Sequence, residues 1–154
     1  MGFAVNHSQA TQGRYLPPDG EYEVIIRQAA QKTTQSGKTF ISFTSEIRSD
    51  VVQPEQGAQF EHTLFKSKAP TPRDPDGYSL GQVQTICKAT RIPEGTNFNG
   101  IDDWLSATIG RTAKLEVKNG MYNDRPKIDV RWSESEFSEY QEGVVVGTEE
   151  DLPF

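Results

Sequence analysis

Apolar and polar residues alternate in five stretches of this chain, and each alternation predicts a strand. The first is Glu21-Tyr22-Glu23-Val24-Ile25-Ile26-Arg27, which follows the turn signal Pro17-Pro18-Asp19-Gly20. Residues 33–38, with Ser36-Gly37, read as a hairpin loop into a second strand at 39–48. There Ile41, Phe43 and Ile47 share one face and predict a core, while Phe40, Ser42, Thr44 and Glu46 share the other. A loop around residues 54–57 leads to a third strand at 59–66. Its register stays open: either Phe60, His62 and Leu64 or Glu61, Thr63 and Phe65 face outward. A fourth strand at 111–118 turns Ala113, Leu115 and Val117 inward, and a fifth at 127–132 does the same with Ile128, Val130 and Trp132. Residues 119–126 between them read as a hairpin loop.

A different period occupies the middle of the chain. Pro70, Pro72, Pro75 and Gly77 predict a loop over residues 67–78. Ser79 then opens a helix, and Gln82 completes a capping box with it. Leu80, Val83, Ile86, Cys87 and Thr90 fall on one face of that helix, which ends at Ile92-Pro93-Glu94-Gly95. A second, short helix is expected over 101–108, with Asp102 and Asp103 favourably placed in its first turn and Trp104, Leu105 and Ile109 buried. From Ser133 onward periodicity ceases, apart from Val144-Val145-Val146, and a disordered tail is expected. The order is three strands, helices, two strands. It predicts an all-β fold with a helical insertion: a five-stranded OB-fold barrel with helices between strands 3 and 4, followed by a disordered acidic C-terminal tail. The expected division is a folded domain over residues 1–133 and a tail over 134–154.

Charge sharpens this division. The net charge is -6, from 16 Lys and Arg against 22 Asp and Glu. All 16 bases and 15 of the acids lie in residues 1–133, a net of +1. The remaining seven acids, with no base, lie in 134–154. A near-neutral body can present a basic groove that the overall charge conceals. The single cysteine, Cys87, excludes an internal disulfide and reads as a buried structural thiol. No basic leader and no apolar run of membrane-spanning length is present, so a cytoplasmic protein is expected.

Sequence-tolerant binding of single strands needs cations along the backbone path and aromatic faces for the bases. Phe40 is the leading stacking residue, because alternation turns it away from Ile41 and Phe43, and Tyr122 sits at a hairpin tip beside Arg125. Arg27, Lys32, Lys38, Lys114, Lys118, Arg125, Lys127 and Arg131 occupy outward strand positions or the flanking hairpins and are the expected phosphate contacts. Trp104 and Trp132 are assigned to the core. Catalytic patterns are missing. His7 and His62 are far apart in sequence, and Asp102-Asp103 and Asp74-Pro75-Asp76 are explained by a helix start and a turn. No enzyme activity, cofactor or metal is expected.

The final segment, Glu149-Glu150-Asp151-Leu152-Pro153-Phe154, is built as a handle: Leu152 and Phe154 suit an apolar pocket, Pro153 limits the backbone freedom lost there, and the carboxylates suit a basic rim. It resembles the C-terminal tip of bacterial and phage single-stranded-DNA-binding proteins, with Glu149 and Glu150 in place of two of the usual Asp. That resemblance implies recruitment of replication and recombination proteins. Residues 20–133 resemble a phage family catalogued as a domain of unknown function and linked to single-stranded-DNA binding. The features that carry the likeness are Gly20-Glu21-Tyr22-Glu23-Val24, the strand after Ser36-Gly37-Lys38, and Leu80-Gly81-Gln82 with Ile86-Cys87-Lys88-Ala89. To these are added Ile92-Pro93-Glu94-Gly95, Asp102-Asp103-Trp104-Leu105, and Gly110-Arg111 before Tyr122-Asn123.

The expectation is therefore a protein that coats single-stranded DNA in phage replication or recombination and recruits partners through its tip, with no membrane partner and with self-association left open. The alternatives are a recombination mediator or annealing accessory, and a protein-only adaptor that binds no DNA.

Overall fold

The strand β1 (Gly20–Thr33) carries the rest of the sheet on its two edges. β2 (Thr39–Ile47) and β4 (Thr112–Tyr122) pair with it, β3 (Gln59–Phe65) pairs with β2, and β5 (Arg125–Ser133) pairs with β4. The order is β3-β2-β1-β4-β5, antiparallel throughout. Two helices, α1 (Leu80–Ala89) and α2 (Ile101–Thr108), fall between β3 and β4 in the chain. This computed structural model describes residues 2–5, 15–66 and 77–137. The expectations for His7, for Pro70, Pro72, Asp74, Pro75 and Asp76, and for the tail from residue 138 to Phe154 lie outside the described residues.

β1 serves two partners because it changes register. It pairs with β4 from Gly20 to Ile25 and with β2 from Val24 to Thr33, with a bulge between Ile26 and Gln28. The extra residue, Arg27, resets the two-residue alternation, so that Ile26 and Ala29 both point into the core although three positions separate them. At the far end of β1 the chain reverses through Gly37, whose φ of 89° is a conformation that favours glycine. Thr34 closes this turn: its amide donates to the Lys38 carbonyl at 2.8 Å and its hydroxyl accepts from the Lys38 amide at 3.0 Å.

The fold is mostly β with a helical insertion, as expected, but the expected barrel is not closed. β3 and β5 approach each other without a hydrogen-bonded ladder, and both remain edge strands. The His62 and Trp132 rings meet across the interval with centroids 5.4 Å apart.

The core has two parts. Tyr22, Val24, Ile47, Phe60, Ala113, Leu115 and Val117 form one, with Ile128 and Val130 laid against it. Ile26, Ile41, Phe43, Tyr78, Ile86, Trp104 and Leu105 form the other, beneath the helices. Trp132 packs on both, and each fully buried aliphatic side chain stabilises the fold by about 1.5–3 kcal/mol. Ser79 caps α1 through its hydroxyl, which accepts from the Gln82 amide at 3.4 Å. α2 is tied to β1 through Asp102, whose carboxylate accepts from Gln31 at 3.1 Å, and Gln31 accepts in turn from the Tyr78 hydroxyl at 3.0 Å.

Three sequence expectations are corrected. Leu80 is exposed, since it occupies the first helical position ahead of the face that packs. Ile109 is exposed too: it caps α2 with an extended backbone, so helical spacing no longer sets its direction. The loop expected at 119–126 is mostly strand. Only Asn123 and Asp124 turn, with φ of 49° and 61°, the left-handed pair required by the two-residue hairpin turn that suits strand twist. Pro126 is tolerated because β5 is an edge strand.

Packing also continues beyond Ser133. Arg48 is fully buried and holds Asp50 with two hydrogen bonds, Nε to Oδ1 at 2.8 Å and Nη2 to Oδ2 at 2.6 Å. Its Nη1 donates to the Ser135 hydroxyl at 3.3 Å, and that hydroxyl donates to Glu23. Arg91 donates to the carbonyls of Ser135 and Phe137. Residues 134–137 therefore lie on the body rather than leaving it.

Candidate nucleic-acid interface

Strand pairing settles which side of β3 faces out. Phe43 pairs with His62 and Ser45 with Phe60 on the core side, so Phe40 opposite Phe65, Ser42 opposite Thr63 and Thr44 opposite Glu61 make the outer face. Lys32 of β1 continues it beside Phe40. The Phe40 and Phe65 rings stack at 5.2 Å with 29° between their planes. Phe40 is half-buried, whereas Phe65 is 50% exposed.

Two hairpins wall this floor. The β1–β2 loop contributes Thr34 and Lys38, and the β4–β5 hairpin contributes Tyr122, Asn123, Arg125 and Lys127. Together they enclose an open groove of about 970 Å³. Tyr122 is 63% exposed, with the Lys127 ammonium 5.8 Å from its ring centroid. The groove thus presents three aromatic residues and three cations, the two ingredients of single-strand binding.

Its electrostatics are mixed. Glu61 and Asp129 also line it. Lys32 lies 3.5 Å from Glu61 and Lys127 lies 3.3 Å from Asp129. Lys38 and Arg125 make no ion pair with any described residue, so their charges face the groove unneutralised. The other expected cations lie outside the lining. Arg27 pairs with Glu46 at 3.1 Å, and Arg131 reaches Glu116 at 3.8 Å. Lys114 is held by Glu136 at 2.8 Å and Glu21 at 3.7 Å, and its hydrogen bond to Glu136 raises its pKa. Lys118 neighbours Asp19, whose pKa is lowered chiefly by hydrogen bonds from Asn119 and slightly by the Lys118 charge.

The sequence matches, over residues 3–142, the family described as Protein of unknown function (DUF669). The chain belongs to this family. A comparison with curated proteins returned no match. The DUF669 match covers all five strands and both helices, and with them every residue of the groove.

Beside the groove of this DUF669 chain, the β3–β5 seam forms a smaller hollow of about 410 Å³ that shares His62, Thr63, Ile128 and Asp129 with it. His62 is buried there, bonded to the Ser45 hydroxyl at 2.8 Å and stacked on Phe43 at 5.5 Å. Burial lowers its pKa to about 3, so the ring is neutral at ordinary pH. Cys87 is half-buried, and burial raises its thiol pKa. Among the described residues no cluster of His, Cys, Asp and Glu has the makings of a metal site, and no described helix is long and apolar enough to cross a membrane.

Of the residues singled out from sequence, the groove brings together Phe40, Tyr122, Lys38, Arg125 and Lys127, with Lys32 at its border through Glu61. Phe65 is the addition. β3 carries aromatic residues at both parities, Phe60 and Phe65, so alternation alone cannot place either one, and only the pairing with β2 does.

Proposed function

We propose that this protein binds single-stranded nucleic acid, DNA in the first instance, along the groove between the two hairpins. The observation that carries the reading is the convergence of Phe40, Phe65 and Tyr122 with Lys38, Arg125 and Lys127 on one open surface. Bases stack on the rings while the cations follow the phosphates, with no chemistry on the strand. The strand order β3-β2-β1-β4-β5, with helices between β3 and β4, supports an OB-fold relation in which the β3–β5 seam stays open. In an OB-fold the corresponding face and hairpins bind oligonucleotides. The resemblance of residues 20–133 and of the acidic Leu-Pro-Phe tip to phage single-stranded-DNA-binding proteins supports a role in replication or recombination, with the tip recruiting partner proteins.

Titration of intrinsic fluorescence with oligo-dT at low salt tests this reading, with single-stranded RNA and duplex DNA as comparisons. Saturable binding to oligo-dT that exceeds binding to duplex is expected. Absence of oligo-dT binding at low salt would remove the proposal. It would favour a protein adaptor whose groove, with Glu61 and Asp129 on its floor, takes a basic polypeptide.

A further inference from the structure

A second groove lies on the helical side of the molecule, away from the hairpins. It runs between α1, α2 and residues 92–100, encloses about 840 Å³, and is lined by Val83, Cys87, Ile92, Phe98, Ile101 and Trp104 among others. Its wall contains an unsatisfied donor. Trp104 is 2% exposed, and its Nε1 is the one buried side-chain nitrogen or oxygen among the described residues without a hydrogen-bond partner. Burying such a group without a strong acceptor is unfavourable. The group it approaches is the groove-lining Cys87 sulfur, a weak acceptor, and this contact lowers in part a thiol pKa that burial raises.

The described chain ends at Phe137. The Phe137 carbonyl accepts from Arg91 Nη1 at 3.4 Å, and Arg91 directly precedes Ile92 in the groove wall. Residues 138–154 continue from that point, and they finish with Leu152-Pro153-Phe154 after Glu149-Glu150-Asp151. Between Phe137 and Leu152 lie 14 residues, which at ~3.3 Å each span ~46 Å, more than enough to return to the groove.

We propose that the groove between α1 and α2 docks the chain's own Leu152-Pro153-Phe154 tip. Leu152 and Phe154 cover the apolar wall made by Ile92, Phe98 and Ile101. A backbone carbonyl of the tip accepts the Trp104 N–H. Lys88, on the groove lining, meets the acidic run, and Glu94 on the same lining limits how far that run enters. A segment of this length holds its end at an effective concentration on the order of 1 mM, so an intrinsically weak contact suffices to populate the docked form. A partner protein that wants the tip must then compete it out of the groove. The proposal does not depend on nucleic-acid binding.

Cys87, the chain's single cysteine, reports on the groove without an added label. Its rate of reaction with a soluble thiol reagent is compared at low salt in the full chain, in a chain ending at Thr148, and in Phe154→Ala. Truncation and Phe154→Ala should both speed the reaction by ~2–10-fold, the protection expected when effective concentration equals or exceeds the dissociation constant. A free peptide of residues 149–154 should slow the truncated chain again. The truncated chain keeps Val144-Val145-Val146, so docking by that run predicts no change on truncation. In NMR spectra the Trp104 indole N–H should differ between full and truncated chains while the Trp132 indole stays fixed. Equal thiol rates together with an unchanged Trp104 signal would overturn the proposal. So would protection that grows with protein concentration, which places the tip on a second copy, or protection abolished by Phe40→Ala, which places it in the other groove.

Discussion

Phe40 and Phe65 stand opposite each other across β2 and β3, their ring centroids 5.2 Å apart. The pair is assembled before any strand arrives. Phe40→Ala and Phe65→Ala should each weaken oligo-dT binding by about 1–3 kcal/mol, and Tyr122→Ala should do likewise. Because the two Phe rings touch, the double variant should lose less than the sum of the singles. Affinity by fluorescence titration, with urea midpoints to confirm folding, checks this; full additivity would mean that the rings act as separate platforms.

Salt should divide the cations into two groups. The logarithm of the binding constant should fall linearly with the logarithm of salt concentration, with a slope of about -0.7 for each phosphate neutralised. Lys38→Gln and Arg125→Gln, whose charges are unpaired among the described residues, should each flatten that slope by roughly one such unit. Lys114→Gln, already held by Glu136 and Glu21, should leave it unchanged. A slope that responds to Lys114 and ignores Lys38 would move the path of the strand away from the hairpin groove and toward β4.

Stability should depend on pH through His62. In the fold burial holds its pKa at about 3, against an ordinary value of 6.5. Below pH 6.5 the unfolded chain takes up a proton that the folded one refuses. Stability is therefore full above pH 6.5 and falls as pH drops toward 3, by about 1.4 kcal/mol per pH unit from this group. His62→Gln lacks that dependence, so its stability deficit against the native chain should shrink on going from pH 7 to pH 5. Urea midpoints at both values measure it, and a constant deficit would contradict the assignment.

The buried guanidinium of Arg48 should be structurally indispensable. Arg48→Ala takes two charge-assisted hydrogen bonds from Asp50 and a donor from Ser135, and breaking a buried pair in this way costs about 3–5 kcal/mol. Thermal unfolding should show a large drop. A loss below ~1 kcal/mol would contradict this role for Arg48.

Much of this architecture was legible because burial imposes period. β2 has one face in the core and one outside, so Ile41 and Phe43 separate from Phe40 without any structure. The capped start of α1 and the acidic start of α2 were readable for similar local reasons. What escaped was whatever burial does not pattern. Asn119, Gly120 and Met121 belong to a strand exposed on both faces, so no alternation marks them. Ser135 is buried for the sake of Glu23 and Arg48, partners more than 80 positions away, and no local pattern announces that. The unequal status of the cations was equally hidden: Lys114 and Lys38 look alike in sequence and differ only in which carboxylates the sheet brings to them.

The seam between β3 and β5 is spanned by rings rather than by peptide groups. A ladder has one register and breaks all at once, but two packed rings can slide and tilt at small cost. The seam can therefore widen while every existing strand pair stays intact, and the floor of the hairpin groove, which shares His62 and Ile128 with it, would widen in step. A surface that fits its guest by adjusting a hinge of side chains tolerates bases of different size on the same three rings.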